Sequence, residues 1–359
     1  MRKIVITIFS ITVLLVTLFQ PNTIAFSNEK ETSWKTLTPM PTTRIGFQTE
    51  VVDGKIYAIG GDNRWFKDAT EAYDPSKDTW TVLAPIPVIH CDGFRTEVIN
   101  GKIYAVGDYW DENKGTSDIE VYDTSANTWA PLAPMPTVRV GFQTEVVGEK
   151  LYVIGGWNNK VIGATEAYNP STNKWTTLAS MPTPCDYLET EVVDGKIYVI
   201  GSDSDENMMV EIYNPLTDTW TTSASIPTYR IVFNTEVVDG KIYAIGGINI
   251  DNKYTNTMEV YNPSTDTWTT LTSVPTLESP FRTKVIDGKI YVMDGSYSNE
   301  KPLSLMEVYN PSTDTWTAIS TMSTAKLVFK TEVIGKTIYA MGLNDDNETS
   351  MESYTVNTK

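Results

Sequence analysis

The chain has 359 residues, a formal charge of −17 and one histidine, His90. Such acidity argues against nucleic acid or an anionic membrane surface as partner, since both are held by clustered Lys and Arg that release counterions. A single imidazole excludes zinc or copper sites built on several, and no Gly-x-Ser-x-Gly elbow accompanies His90 for triad chemistry.

Met1-Arg2-Lys3 precedes an uncharged, largely apolar run from Ile4 to Phe19, then Gln20-Pro21 and the small-residue exit Thr23-Ile24-Ala25. This is the pattern of a secretory signal peptide, residues 1–25, cleaved after Ala25. The run is shorter than the roughly 20 residues that span a bilayer, so no membrane insertion is expected after cleavage. Losing Arg2 and Lys3 takes the mature chain, 26–359, from −17 to −19, which suits a dispersed extracellular monomer.

The rest of the chain is periodic. Trp34, Trp80, Trp129, Trp175, Trp220, Trp268 and Trp316 recur every 45 to 49 residues. Tyr73, Tyr122, Tyr168, Tyr213, Tyr261 and Tyr309 stand seven residues before the last six. A second tyrosine series runs through Tyr57, Tyr104, Tyr152, Tyr198, Tyr243, Tyr291 and Tyr339. Each unit reads as four short strands. In the first, Phe47–Val52 leads through the hairpin signal Asp53-Gly54 into Lys55–Ile59, which stops at Gly60-Gly61. Thr70–Tyr73 follows, and Asp74-Pro75 turns the chain into the strand around Trp80. Four antiparallel strands at this period predict propeller blades within one domain, 26–359. The last tyrosine, Tyr354, has no tryptophan after it, while Trp34 has no blade before it. The N-terminal strand around Trp34 is therefore expected to close the last blade, giving an all-β, seven-bladed β-propeller.

The Gly-Gly doublet, the strand-three Tyr and the strand-four Trp resemble the kelch repeat, as in bacterial secreted kelch proteins. The doublet is intact at Gly60-Gly61, Gly155-Gly156 and Gly246-Gly247 and altered in the other four units. The resemblance implies the propeller and says little about function. It extends to kelch-like copper radical oxidases, which need two His ligands and a Cys–Tyr crosslink that this chain cannot supply. It extends also to secreted sialic acid epimerases, which work with polar residues and no metal.

Residues shared by all seven units are expected to be structural, so Glu71, Glu120 and their equivalents, and Thr49, Thr96 and theirs, are assigned to buried polar satisfaction. Function should sit where the units differ. Trp65, Trp110 and Trp157 fall outside the repeat, in the strand-two-to-three loops, with Tyr109 beside Trp110. Their ring faces suit sugars or peptide side chains. Three residues before the strand-one Phe stand Arg44, Cys91, Arg139, Cys185, Arg230, Glu278 and Lys326, expected to rim the axial opening. One residue after it stand Gln48, Arg95, Gln143, Glu189, Asn234, Arg282 and Lys330, expected to line it. Cys91 and Cys185, in units separated by another, are expected to be thiols. Asp203–Asn207 begins like a calcium loop but lacks its Gly and Glu, so neither metal nor cofactor is expected.

These observations predict a secreted, non-enzymatic binding propeller with no catalytic residues. It would hold an extracellular glycan or a protein or peptide through Trp65, Trp110, Trp157, Tyr109, Arg44, Arg95, Arg139, Arg230, Gln48 and Gln143. Two alternatives stay open, a metal-free sugar epimerase or mutarotase and an extracellular protein-interaction scaffold.

Overall fold

The computed structural model describes residues 33–61, 68–87, 93–107, 116–203, 205–277, 281–294, 305–323, 328–344 and 346–357. These form 28 strands in seven four-stranded antiparallel sheets, and no helix. Blade one is Gln48–Val52, Lys55–Ile59, Thr70–Asp74 and Thr79–Val82, hydrogen-bonded in that order. Its first turn needs left-handed backbone at both central residues, and Asp53 and Gly54 adopt it with φ of 48° and 71°. Blades two to six repeat the plan.

Blade seven joins Val328–Ile334, Thr337–Leu343 and Thr349–Thr355 to the N-terminal strand Lys35–Thr36. Lys35 pairs with Ser353 and Thr36 with Glu352. Trp34 is buried and its ring lies 5.6 Å from that of Tyr354. The sequence-derived count and closure are those observed.

The core is divided among the junctions between blades. Strand two is apolar on both faces because each face meets a blade: in blade one, Tyr57 and Ile59 pack with Phe94, Ile103 and Tyr122 of blade two. Ile56 and Ala58 pack the other way, with Met341 and Met351 of blade seven. Burying each large side chain contributes roughly 1.5–3 kcal/mol. The recurrent outer residues fasten blade to blade. Tyr73 Oη donates to Asp78 Oδ1 at 2.8 Å, the same oxygen accepts the Thr38 amide at 2.9 Å, and Trp80 Nε1 donates to the Thr38 carbonyl at 2.9 Å.

The glycine doublet positions the functional face. A Cβ on Gly61 would meet the carbonyl oxygen of Ile45 at 2.6 Å, and one on Gly156 that of Val140 at 2.6 Å. The loop leading into strand one therefore lies directly on the end of strand two, beside the axial opening.

Candidate functional site

Seven inner strands adjoin around the axis: Gln48–Val52, Arg95–Ile99, Gln143–Val147, Asp186–Val193, Asn234–Val238, Phe281–Ile286 and Val328–Ile334. Each pairs with a strand on one side only, so polar groups on its other edge need donors. Side chains at the mouth supply them from blade to blade. Gln48 Nε2 donates to the Phe94 carbonyl at 2.7 Å, and Arg95 Nε to Gln143 Oε1 at 2.9 Å. Gln143 Nε2 donates to the Leu188 carbonyl at 2.7 Å and Asn234 Nδ2 to the Phe281 carbonyl at 3.2 Å. Arg282 Nε donates to the Phe329 carbonyl at 2.9 Å, and Lys330 Nζ returns the circle to Gln48 Oε1 at 2.9 Å.

Glu189 occupies the blade-four position of this circle, where an ionised carboxylate has no proton to pass on. Burial pushes it up to about 7, against the pull of Arg95 and Arg282. Lys330 is driven down to about 7 by burial and by the same two arginines. An acid and a base that both titrate near neutrality thus share the field of one Arg pair. A cavity of ≈ 220 Å³ in the channel is lined by Gln48, Asn234, Arg282 and Lys330 and, further in, by Lys284 and Glu332.

Two residues deeper lies a ring that the sequence reading passed over: Glu50, Glu97, Glu145, Glu191, Glu236, Lys284 and Glu332. Threonines of the following blade bond its carboxylates, Thr96 to Glu50 at 2.6 Å and Thr144 to Glu97 at 2.8 Å. Lys284 Nζ lies 3.8 Å from Glu332 Oε2. Burial raises Glu50 and Glu145 to about 7 and Glu191 to about 8, and raises Glu97 and Glu236 as well. The available signal was the pair Thr-Glu in six of seven inner strands, with Thr283-Lys284 as the exception.

The expected rim of arginines needs correction. Arg44, Arg139 and Arg230 are at most 1% exposed, inside blades one, three and five. Arg44 donates to the carbonyls of Gly60 at 2.9 Å, Ala58 at 3.0 Å and Ala69 at 2.5 Å, and pairs with Glu71 at 2.9 Å. Arg139 bonds the carbonyls of Gly155 and Ala164 and pairs with Glu166, and Arg230 pairs likewise with Glu259. The carbonyls that end strand two and precede strand three keep spare lone pairs within reach of a five-donor guanidinium, so the side chain folds inward. The recurrent Glu therefore holds this Arg in three blades, and a hydroxyl besides, such as Thr42 on Glu71 at 2.6 Å. Cys185 is likewise buried in the core between blades three and four instead of standing on the rim.

Gln48, Arg95 and Gln143 stand on the inner strands at the mouth. Trp157 is half-buried on the same face, its backbone bridged to Val140 and Val161. Trp65, Tyr109 and Trp110 lie outside the described residues, as do Cys91, Glu278 and Lys326.

Seven four-stranded blades with this Gly-Gly, Tyr and Trp pattern define a kelch-type propeller. The chain belongs to the kelch-repeat family: the profile of the KLHDC2/KLHL20/DRC7 kelch-repeats domain matches residues 20–202, and that of the kelch motif matches 233–275 and 279–323. It is similar to F-box protein AFR of Arabidopsis thaliana, 41% identical over 59 residues, which is 16% of either chain. The match thus spans about a sixth of that relative's length. Among solved structures it resembles YjhT, with a TM-score of 0.61 and 15% identity over 79% of this chain and 99% of that one. It resembles also a fungal alcohol oxidase of the AA5 family in complex with copper, with a TM-score of 0.72 and 17% identity over 91% of this chain and 76% of that one.

The expectation that the chain is no enzyme is overturned by these neighbours, since the fold it shares with YjhT carries catalysis in the alcohol oxidase. The whole chain has one histidine, and the described residues contain no group of three or more His, Cys, Asp or Glu placed to hold a metal.

Proposed function

We propose that the protein is a secreted enzyme that binds a carboxylate-bearing sugar in the mouth of its axial channel and interconverts its anomers without a metal. The observation that carries this reading is one ring containing Arg95, Arg282, Lys330 and Glu189. In an acidic protein, these cations suit an anionic ligand, and Arg offers a planar fork to a carboxylate. The amides of Gln48, Gln143 and Asn234 provide neutral partners for hydroxyls. The reaction needs only proton transfers. The anomeric hydroxyl gives up its proton and becomes a carbonyl as the bond from the anomeric carbon to the ring oxygen breaks. The ring oxygen takes up a proton, and reclosure on the other face reverses each step. Neutral Lys330 serves as base and protonated Glu189 as acid, each with a pKa matched to neutral pH.

The test is anomer exchange of N-acetylneuraminate and of glucuronate, followed by exchange NMR with the purified chain from residue 26. Acceleration over buffer is expected, falling by about 100-fold or more in Glu189→Gln and in Lys330→Met. Arg282→Ala should raise KM. Exchange no faster than in buffer for both sugars refutes the reaction. Residues 1–25 are proposed to direct export, and N-terminal sequencing of the secreted protein should begin at Phe26.

A further inference from the structure

The residue before the strand-one Phe or Leu adopts left-handed backbone in blades one to five. Blades one, two and three use glycine there, with φ of 71° at Gly46, 86° at Gly93 and 63° at Gly141. Blades four and five use Tyr187, φ 49°, and Val232, φ 53°. Among the described residues, every other non-glycine with positive φ is Asp, Asn or Glu. A branched valine and a tyrosine are poorly suited to this region, whereas short polar side chains are tolerated. Neither is compensated by burial, since Tyr187 is 54% and Val232 58% exposed.

Both stand two residues ahead of a member of the mouth ring, Tyr187 ahead of Glu189 and Val232 ahead of Asn234. Blade four is also where the circle of donors is interrupted by a carboxylate. Tyr254, 42% exposed, is tied to the segment preceding Val232 through the backbone bridges Ile231–Ile248 and Ile248–Tyr254. Backbone strain and exposed apolar surface therefore recur at equivalent positions of two neighbouring blades, and blade four also carries the one acidic member of the ring. Residues held in such sparsely populated backbone regions cluster at active sites and ligand clamps.

We infer that Tyr187 and Val232 are specificity-determining residues that receive an apolar or aromatic substituent of the anionic sugar held at the ring. This rests on the proposed sugar-binding reading. The charged end is fixed by Arg95, Arg282 and Lys330, while the substituent lies outward against the tyrosine ring and the valine methyls. Blades one to three carry glycine at the equivalent position and blades six and seven Pro280 and Val328, so Tyr187 is the one aromatic residue of the series.

The probes are glucuronate and 4-nitrophenyl glucuronide, which share the carboxylate and differ by an aromatic group. Titration calorimetry should show the glucuronide binding about fivefold or more tighter, as expected of ring stacking. The ratio should collapse toward one in Tyr187→Gly and Val232→Gly, which install the residue of blades one to three. Thermal unfolding of both variants should occur at or above the wild-type temperature, because glycine relieves the strain. If glucuronate binds and the glucuronide gains nothing, the inference fails and the ring reading survives. Failure of both probes to bind removes the reading beneath it. A preserved ratio in variants that melt several degrees lower would make the two residues structural and overturn the inference.

Discussion

Replacing Arg139 by Met separates a structural arginine from a ligand-binding one. The change leaves the Glu166 carboxylate in a site where its side chain is 1% exposed, with Thr137 still bonded to it. It also withdraws the donor from the carbonyls of Gly155 and Ala164. Breaking a buried pair from one side costs about 3–5 kcal/mol, because the surviving charge is stranded. The double variant Arg139→Met/Glu166→Gln removes both charges and should recover most of that loss, to within about 1–2 kcal/mol of wild type. Urea unfolding followed by tryptophan fluorescence measures both. The same pair recurs in blades one and five, so Arg44→Met and Arg230→Met are internal repeats. Sugar binding by the folded fraction of each single variant should be retained. A loss below about 1 kcal/mol, or abolished binding at unchanged stability, would refute the reasoning and return these arginines to the mouth.

The deep carboxylates give a pH dependence. Raised folded-state pKa values mean that the folded protein holds protons the unfolded chain has released, so this contribution is complete below about 4.5 and lost as pH rises through 7 to 8. Lys330, lowered to about 7, acts oppositely, its contribution being lost as pH falls from about 10.5 through 7. The clean measurement is a difference: the melting temperature of Glu191→Gln minus wild type should rise between pH 5 and pH 8.5, and a flat difference would exclude the effect. Closure is tested by Trp34→Ala, which deletes the buried ring against Tyr354 and should cost about 3–5 kcal/mol in the same urea assay.

The fold was legible because every blade solves the same packing problem. A tyrosine between two blades and a tryptophan bonded to the preceding blade must recur at a fixed period, and Trp34 without a blade revealed the seam. The site was legible only in part. Gln48 and Arg95 could be placed because strand alternation fixes which residues reach the axis. Arg44 misled because its backbone position is at the opening while its side chain turns back to carbonyls, and no periodicity encodes that turn. Glu50 and its equivalents looked like an ordinary polar strand face, since the burial that raises their pKa comes from six other blades. Tyr187 and Val232 are visible as replacements for glycine once blades are aligned, but their significance lies in a dihedral angle.

The pairing of Lys35 with Ser353 also sets a timetable. Among the described residues, the first strand has one of the last as its sheet partner, and more than three hundred residues of chain must be ordered between them. Such a contact is the slowest kind to form, as it carries the largest loop to be closed. Until the C-terminus is complete, the seventh sheet lacks a member and its edge stays open. A chain that cannot seal itself during translation stays open along one edge until the last strand is made, so its final locking step is post-translational.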